Sequence, residues 1–222
     1  MERIASGVPG LDEILGGGVP KNHIVLVSGT CGTGKTILCG QFIYEGLNNG
    51  ENGVYLSLEE QPESIKDSFS RLGMNFDKYE KEGKLTFIKY DPYHVEGVFD
   101  ILENTITGIG AKRVVIDSIS ALGMHIKDKG ELRRMIFNLS LVLRKMDTTT
   151  VMTSEIIYGQ SGISRYGVEE FVADSVIVLY YEKSELMFSR TIQVWKVRGS
   201  NHSKKLHTYK ITNKGIVVYP TK

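Results

Sequence analysis

The stretch VLVSGTCGTGKTILCGQF, Val25–Phe42, passes from an apolar run through a glycine-rich turn into a helical pattern. Within it, GTCGTGKT fits G-x-x-x-x-G-K-[ST], with Gly29, Gly34, Lys35 and Thr36 at the fixed positions. The spacing has a chemical reason. Glycines let successive backbone N–H groups turn inward around a phosphate, and the helix that follows offers its positive N-terminal end. In such a cradle Lys35 reaches the β- and γ-phosphates and the Thr36 hydroxyl ligates Mg²⁺. Thr30, Cys31, Gly32 and Thr33 complete the loop, and Ile37 follows in the first helical turn. The motif sits after a predicted strand and opens a predicted helix, which is the context it requires.

The surrounding pattern repeats this alternation. Strand-like runs fall at His23–Ser28, Gly53–Leu58, Leu85–Tyr90, Arg113–Ser118 and Thr149–Ser154, with helical patterns at 35–48, 62–73, 95–108 and 129–146. In the last, Leu132, Met135, Ile136, Leu139, Val142 and Leu143 recur at three- and four-residue steps and share one face. Continuous β-branched runs separated by helices predict a mostly parallel sheet covered on both sides. After Asp174 the strands SVIVLYYEK, RTIQVWKVRG and KKLHTYKITNKGIVVYP follow one another by short turns, so an antiparallel extension is expected. No linker or repeat interrupts the pattern, and one α/β domain over residues 1–222 is expected.

Bulk properties narrow the partners. The 222 residues carry a formal net charge of +1, so no global field favours nucleic acid or membrane. Cys31 and Cys39 have no histidines at zinc-like spacing, and a single pair makes no disulfide framework. MERIASGVPG lacks the profile of a secretory signal, and no apolar run approaches the roughly 18 residues of a membrane span. A cytoplasmic protein without membrane contact is the expectation.

A phosphate cradle needs a carboxylate for its metal, and RVVIDS places Asp117 at a strand's C-terminal end, the edge where open parallel sheets bind ligands. Hydrolysis also needs a group to orient or deprotonate water. YLSLEEQPESI puts Glu59 and Glu60 directly after another strand. Spacing leaves two readings open for this pair: a catalytic carboxylate, or an acidic helix start ahead of Pro62 that favours the helix dipole.

These motifs together resemble the KaiC-like branch of the RecA superfamily of P-loop NTPases, which includes the cyanobacterial clock protein and archaeal single-domain relatives. The likeness runs through SGVPGLDEILGGGVPKN (Ser6–Asn22), the cradle, LEEQPESI (Leu58–Ile65), VVIDSISAL (Val114–Leu122), VMTSE (Val151–Glu155), ISRYGVEEFVADSVIVL (Ile163–Leu179) and WKVRGSNHS (Trp195–Ser203). The resemblance implies an ATPase that uses ATP and Mg²⁺, with Glu59 and Glu60 as the catalytic pair and Asp117 at the metal. It places Glu155 near the γ-phosphate. It also implies a homo-oligomer, a hexameric ring, in which Lys196 and Arg198 reach the nucleotide of the next subunit while Ser200 and His202 line its edge. Read from the residues alone, Lys196 and Arg198 alternate along a predicted strand and share a face, as a basic edge strand also would.

Glu170 and Phe171 stand where the clock kinase carries its phosphorylated Ser-Thr pair, so self-phosphorylation at that place is not expected. ATP rather than GTP follows from the resemblance, and no Asn-Lys-x-Asp segment occurs. The expected use of turnover is a conformational or regulatory cycle, with a regulatory protein as partner. The alternative is a recombinase paralogue that binds single-stranded DNA under ATP control, with Gly123–Arg134 and Ile156–Gly167 as its loops and Tyr158, Arg165 and Tyr166 as stacking and phosphate contacts.

Overall fold

A computed structural model describes residues 1–91, 97–124, 126, 128–159, 162–184 and 187–221. The chain opens with β1 (Arg3–Ile4), α1 (Leu11–Ile14) and β2 (Val19–Pro20), then β3 (Ile24–Gly29) and α2 (Lys35–Asn48). There follow β4 (Gly53–Ser57), α3 (Pro62–Ser70), α4 (Asp77–Lys81), β5 (Leu85–Lys89) and α5 (Val98–Ile109). Next come β6 (Arg113–Asp117), α6 (Ile119–Leu122), α7 (Lys129–Lys145), β7 (Thr149–Glu155) and α8 (Glu169–Val172). Four strands close the chain: β8 (Ser175–Ser184), β9 (Met187–Val197), β10 (Leu206–Thr212) and β11 (Gly215–Tyr219).

Nine strands form one sheet in the order β11-β10-β9-β8-β3-β7-β6-β4-β5. From β8 through β5 neighbours run parallel, and β8–β9, β9–β10 and β10–β11 pair antiparallel. The parallel core and antiparallel extension expected from the pattern are therefore present, with β8 belonging to both: it is parallel to β3 and antiparallel to β9.

Alternation sorts the strand side chains between two cores. Val25, Val27, Tyr55 and Val115 pack with Leu38, Phe42 and Phe69 beneath α2 and α3. Ile24, Val54, Val114 and Ile116 pack with Leu102, Ile106, Leu132 and Leu139 beneath α5 and α7. Because both faces are covered, β3, β4 and most of β6 and β7 are buried, which is why β3 and β6 carry continuous apolar runs, Ile24–Val27 and Val114–Ile116. On α7 the expected apolar face is buried apart from Val142, which is half-buried. The helix is capped by the Asp128 side chain, which accepts from Glu131 N at 2.8 Å, and ends with Arg144 and Lys145 against its negative terminus.

Helix bounds shift for local reasons. The 62–73 pattern stops at Ser70, ahead of Gly73 at φ 82°. The 95–108 pattern begins at Val98, after Gly97 at φ 89°; Val95 and Glu96 lie outside the described residues. Among the described residues no helix is long and apolar enough to cross a membrane.

Candidate active site

The parallel strands end together at one edge, and the cradle is built there. β3 delivers Gly29, where a Cβ would sit 2.6 Å from the Leu179 carbonyl oxygen and 2.7 Å from Thr33 Oγ1, so only glycine fits the turn. Gly32 and Gly34 then adopt φ 76° and 93°, in the left-handed region that favours glycine. Helix α2 starts at Lys35 with no side-chain cap, which leaves its first N–H groups for an incoming anion. Lys35 Nζ lies over the loop, donating to Gly29 O at 2.9 Å and Thr30 O at 3.1 Å.

The antiparallel extension buttresses this loop from behind. Tyr209 Oη donates to Thr33 O at 2.6 Å, and Arg190 Nη2 donates to Gly32 O at 3.3 Å. Burial pushes the Tyr209 phenol well above its ordinary range, so at neutral pH it stays a donor.

A cavity of about 360 Å³ opens in front of the loop. Its lining joins Cys31, Gly32, Gly34, Lys35 and Thr36 to Glu59, Glu60, Asp117 and Glu155, contributed by the ends of four different parallel strands and the segments that follow them. Thr30, Thr33 and Ile37 shape the cradle from outside this lining: Thr33 is fully buried, and Ile37 faces an apolar recess with Ile65, Phe69 and Leu72.

Asp117 is the most constrained group in the cavity. Its Oδ2 accepts from Thr36 Oγ1 at 2.9 Å and Tyr55 Oη at 2.8 Å, and its Oδ1 accepts from Thr153 Oγ1 at 2.5 Å. Burial first, and then the adjacent Asp117 charge, push the Tyr55 phenol well above its ordinary range, so it too remains a donor. Tyr55 and Thr153 escaped the sequence reading. The signal was a polar side chain inside an apolar strand run, on the two strands that flank β6 in the sheet. Hydroxyl and carboxyl oxygens are hard donors, and two of them suit Mg²⁺, which keeps several waters and takes its remaining ligands from substrate phosphates. Among the described residues no group of three or more His, Cys, Asp or Glu forms a self-sufficient metal cage.

Glu59 and Glu60 lie between β4 and α3, and the helix begins only at Pro62 with Gln61 as its N-cap. Of the acidic residues here, Glu63 alone occupies the first turn. Glu59 Oε1 accepts from Ser118 Oγ at 2.5 Å, and the Glu60 carbonyl accepts from Ser57 Oγ at 2.6 Å. The pair is thereby anchored to the end of β4 and to the residue that follows Asp117 at the end of β6.

Lys196 and Arg198 lie elsewhere. On β9, Lys196 pairs with Val176 near the start of β8, whereas the cradle end of β8 is Leu179 opposite Gly29. Lys196 Nζ donates to the carbonyls of Glu170 and Ala173, both at 2.7 Å. Arg198 donates from Nη2 to Phe171 O at 2.8 Å and from Nη1 to Asp174 Oδ1 at 3.3 Å. Burial, then the Arg198 charge, hold the Lys196 ammonium below its ordinary range. Burial would raise the Asp174 carboxyl, but hydrogen bonds from Arg144 and Ile24 N and the nearby positive charges outweigh it, leaving Asp174 below its ordinary value. Ser200 is held by the Arg3 guanidinium, and the His202 ring lies between Ser203 O at 2.9 Å and Lys204 Nζ at 2.9 Å. The predicted site residues thus fall into two groups at opposite ends of the sheet, and one copy of the chain does not unite them.

Of the three residues considered for nucleic acid, Tyr166 is tied by its hydroxyl to Ser120 O at 2.8 Å and Arg165 lies 4.0 Å from Glu155, while Tyr158 is exposed. Within the two candidate loops, His125, Lys127, Gln160 and Ser161 lie outside the described residues.

Comparison with known proteins places this geometry in a family. A family model described as "ATPase: KaiC" matches residues 4–222. The UPF0273 protein MJ1359 of Methanocaldococcus jannaschii is 39% identical, over 100% of this chain and 98% of its own length. Circadian clock protein KaiC3 of Synechocystis sp. is 35% identical over 99% of this chain, which spans 46% of KaiC3. Among solved structures, the KaiC-like protein PH0186 from Pyrococcus horikoshii OT3 superposes with a TM-score of 0.91 at 38% identity, covering 99% of both chains. The fold is α/β and RecA-like, and the chain belongs to the KaiC family of ATPases.

Proposed function

We propose that the chain binds ATP with Mg²⁺ and hydrolyses it between copies of itself, turnover driving a conformational or regulatory cycle. The observation that carries this reading is the convergence, in one cavity, of the cradle, the Thr36–Asp117 pair at 2.9 Å and the two carboxylates Glu59 and Glu60. The loop and helix N–H groups and Lys35 hold the β- and γ-phosphates. Thr36 and Asp117 would hold a magnesium ion, and the chemistry it would supply there is neutralisation of phosphate charge. Glu59 or Glu60 orients the attacking water and takes its proton.

Lys196 and Arg198 serve the nucleotide of a neighbouring copy, where they stabilise the charge that develops on the transferring phosphoryl group. The support for this assignment is their place at the sheet end opposite their own cradle. Repeating one such contact is head-to-tail association, which closes into a ring where the rotation closes and otherwise runs on as a filament.

Phosphate release measured against protein concentration, with and without single-stranded DNA, tests the proposal. Specific activity that rises with concentration in step with assembly, and collapses in E59Q/E60Q while ATP binding persists, is the expected result. Activity insensitive to concentration in a protein that stays monomeric by sizing would refute the shared site. Stimulation by DNA would move the assignment to the recombinase-type alternative.

A further inference from the structure

Glu169 is the first residue of α8 and is fully buried, yet it does not line the cavity and is paired with no cation among the described residues. Its carboxyl group collects donors. Ser154 Oγ donates to Oε1 at 3.0 Å, Ser164 Oγ lies 2.8 Å from Oε2, and the N–H groups of Val168 and Tyr166 reach Oε2 at 3.1 and 3.3 Å. A buried carboxyl with this many donors is costly to disturb, because each donor would lose its partner out of water.

Two routes leave Glu169. Towards the cavity, a directed hydrogen-bond chain runs from Glu155 N to Ser120 Oγ at 2.9 Å, from Ser120 Oγ to Ser154 Oγ at 3.3 Å, and from Ser154 Oγ to Glu169. Glu155 lines the cavity, and every hydroxyl in the chain is buried. In the other direction lie the next residues of the chain. The carbonyls of Glu170, Phe171 and Ala173, with the Asp174 carboxyl, are the groups that hold Lys196 and Arg198. Holding does not consume the cations. The ammonium of Lys196 has three N–H donors and uses two on those carbonyls, while Arg198 keeps further donors on a half-exposed side chain.

We propose that Glu169 is the positioning residue that fixes α8 as a mount for Lys196 and Arg198, linking a subunit's own cavity to the cations it presents to its neighbour. This rests on the proposed role of those two cations in trans. A cation held in place before the nucleotide arrives loses less freedom on reaching a phosphate, so loosening the mount lowers the rate at the neighbour's site. E169Q is the informative change, since it keeps the side chain's shape but turns one acceptor atom into a donor that faces other donors.

The test mixes two inactive proteins. K35A subunits lack a working cradle but carry both cations, and K196A/R198A subunits carry a working cradle without them. Mixed assemblies are expected to recover phosphate release at the interface that joins the two intact halves. Adding E169Q to the K35A subunit should then lower the recovered rate at least about tenfold. The same change on the K196A/R198A subunit should cost several-fold less. S164A, which removes one donor and leaves the carboxyl intact, is read on the same two sides and serves if E169Q does not fold. Equal losses on both sides, or none on the K35A side, would overturn the positioning role. Mixed assemblies that form by sizing but recover no activity without any change at Glu169 would overturn the trans reading itself, and this inference with it.

Discussion

Replacing Arg198 by alanine separates what the guanidinium does for its own subunit from what it does for a neighbour. Within the chain it makes one hydrogen bond to Phe171 O at 2.8 Å and one contact to Asp174 at 3.3 Å, with its side chain 52% exposed. An exposed pair contributes under about 1 kcal/mol, and a hydrogen bond to a carbonyl about 1 kcal/mol. Asp174 is not stranded by the change, because Arg144 Nη2 remains at 2.9 Å and Ile24 N at 3.1 Å. The expected stability loss is therefore about 1–2 kcal/mol, a fall in melting temperature of roughly 2–8 °C for a chain of this size. A domain of ordinary stability would still be more than about 99% folded at 25 °C. If Arg198 instead stabilises the transferring phosphoryl group of the next copy, the chemical step should slow by at least about a hundredfold. Single-turnover phosphate release on assembled R198A, with thermal unfolding of the same sample, measures both quantities. An assembled variant that turns over within about threefold of the parent would refute the transition-state role. It would leave Arg198 as a local strut.

Four further outcomes follow from the same geometry. Burial lowers the His23 and His207 imidazoles below the ordinary 6.5, so the unfolded chain takes up protons first as pH falls; unfolding free energy should decline below about pH 6.5, and His207→Gln should flatten that slope. The depressed Asp174 carboxyl contributes stability that is present above its ordinary 3.8 and is lost as pH falls through its folded value, so a second decline belongs to that more acidic window and should vanish in D174N. On α2, a Cβ at Gly40 would lie 2.4 Å from Cε1 of the buried Phe69 ring, so G40A should destabilise by about 1–3 kcal/mol despite its better helix propensity, and an unchanged denaturant midpoint would contradict this packing. Because the Lys196 ammonium is held below its usual range, the alkaline fall in activity should begin earlier than an ordinary lysine allows, and K196R should move that limb to higher pH; a limb that stays in place would remove Lys196 from the rate.

The parallel core was legible because its signals are local. Ile24–Val27 and Val114–Ile116 are continuous apolar runs since helices cover both faces, and the Gly29–Thr36 spacing marks the turn between strand and helix. What stayed hidden depends on sheet order. Tyr55, Asp117 and Thr153 meet because β4, β6 and β7 are neighbours, a relation that no periodicity states. The register shift between Val176 and Ile177 leaves Trp195 without a partner strand residue, so the placement of Lys196 over α8 rests on one irregular step in β9. Glu169 was hidden for a different reason. In VEEF it reads as one of two acidic residues at a helix start, and the Ser154 hydroxyl and the Val168 and Tyr166 N–H groups, donors that sequence spacing does not reveal, satisfy it in the interior.

The mixed sheet gives this arrangement its consequence. β8 runs parallel to β3 and so ends beside the cradle, and β9 returns antiparallel to it, which carries Lys196 and Arg198 back to the far edge. Had β9 also been parallel, both cations would have stood on the same edge as Asp117. The reversal places the cradle at Gly29, opposite Leu179, and Lys196 at Val176, three residues back along β8. Under the proposed reading, a monomer can bind nucleotide through its cradle but lacks the second set of charges, so binding and turnover become separable by dilution. Assembly then acts as the control on hydrolysis, because the interface supplies groups that the fold keeps away from their own site.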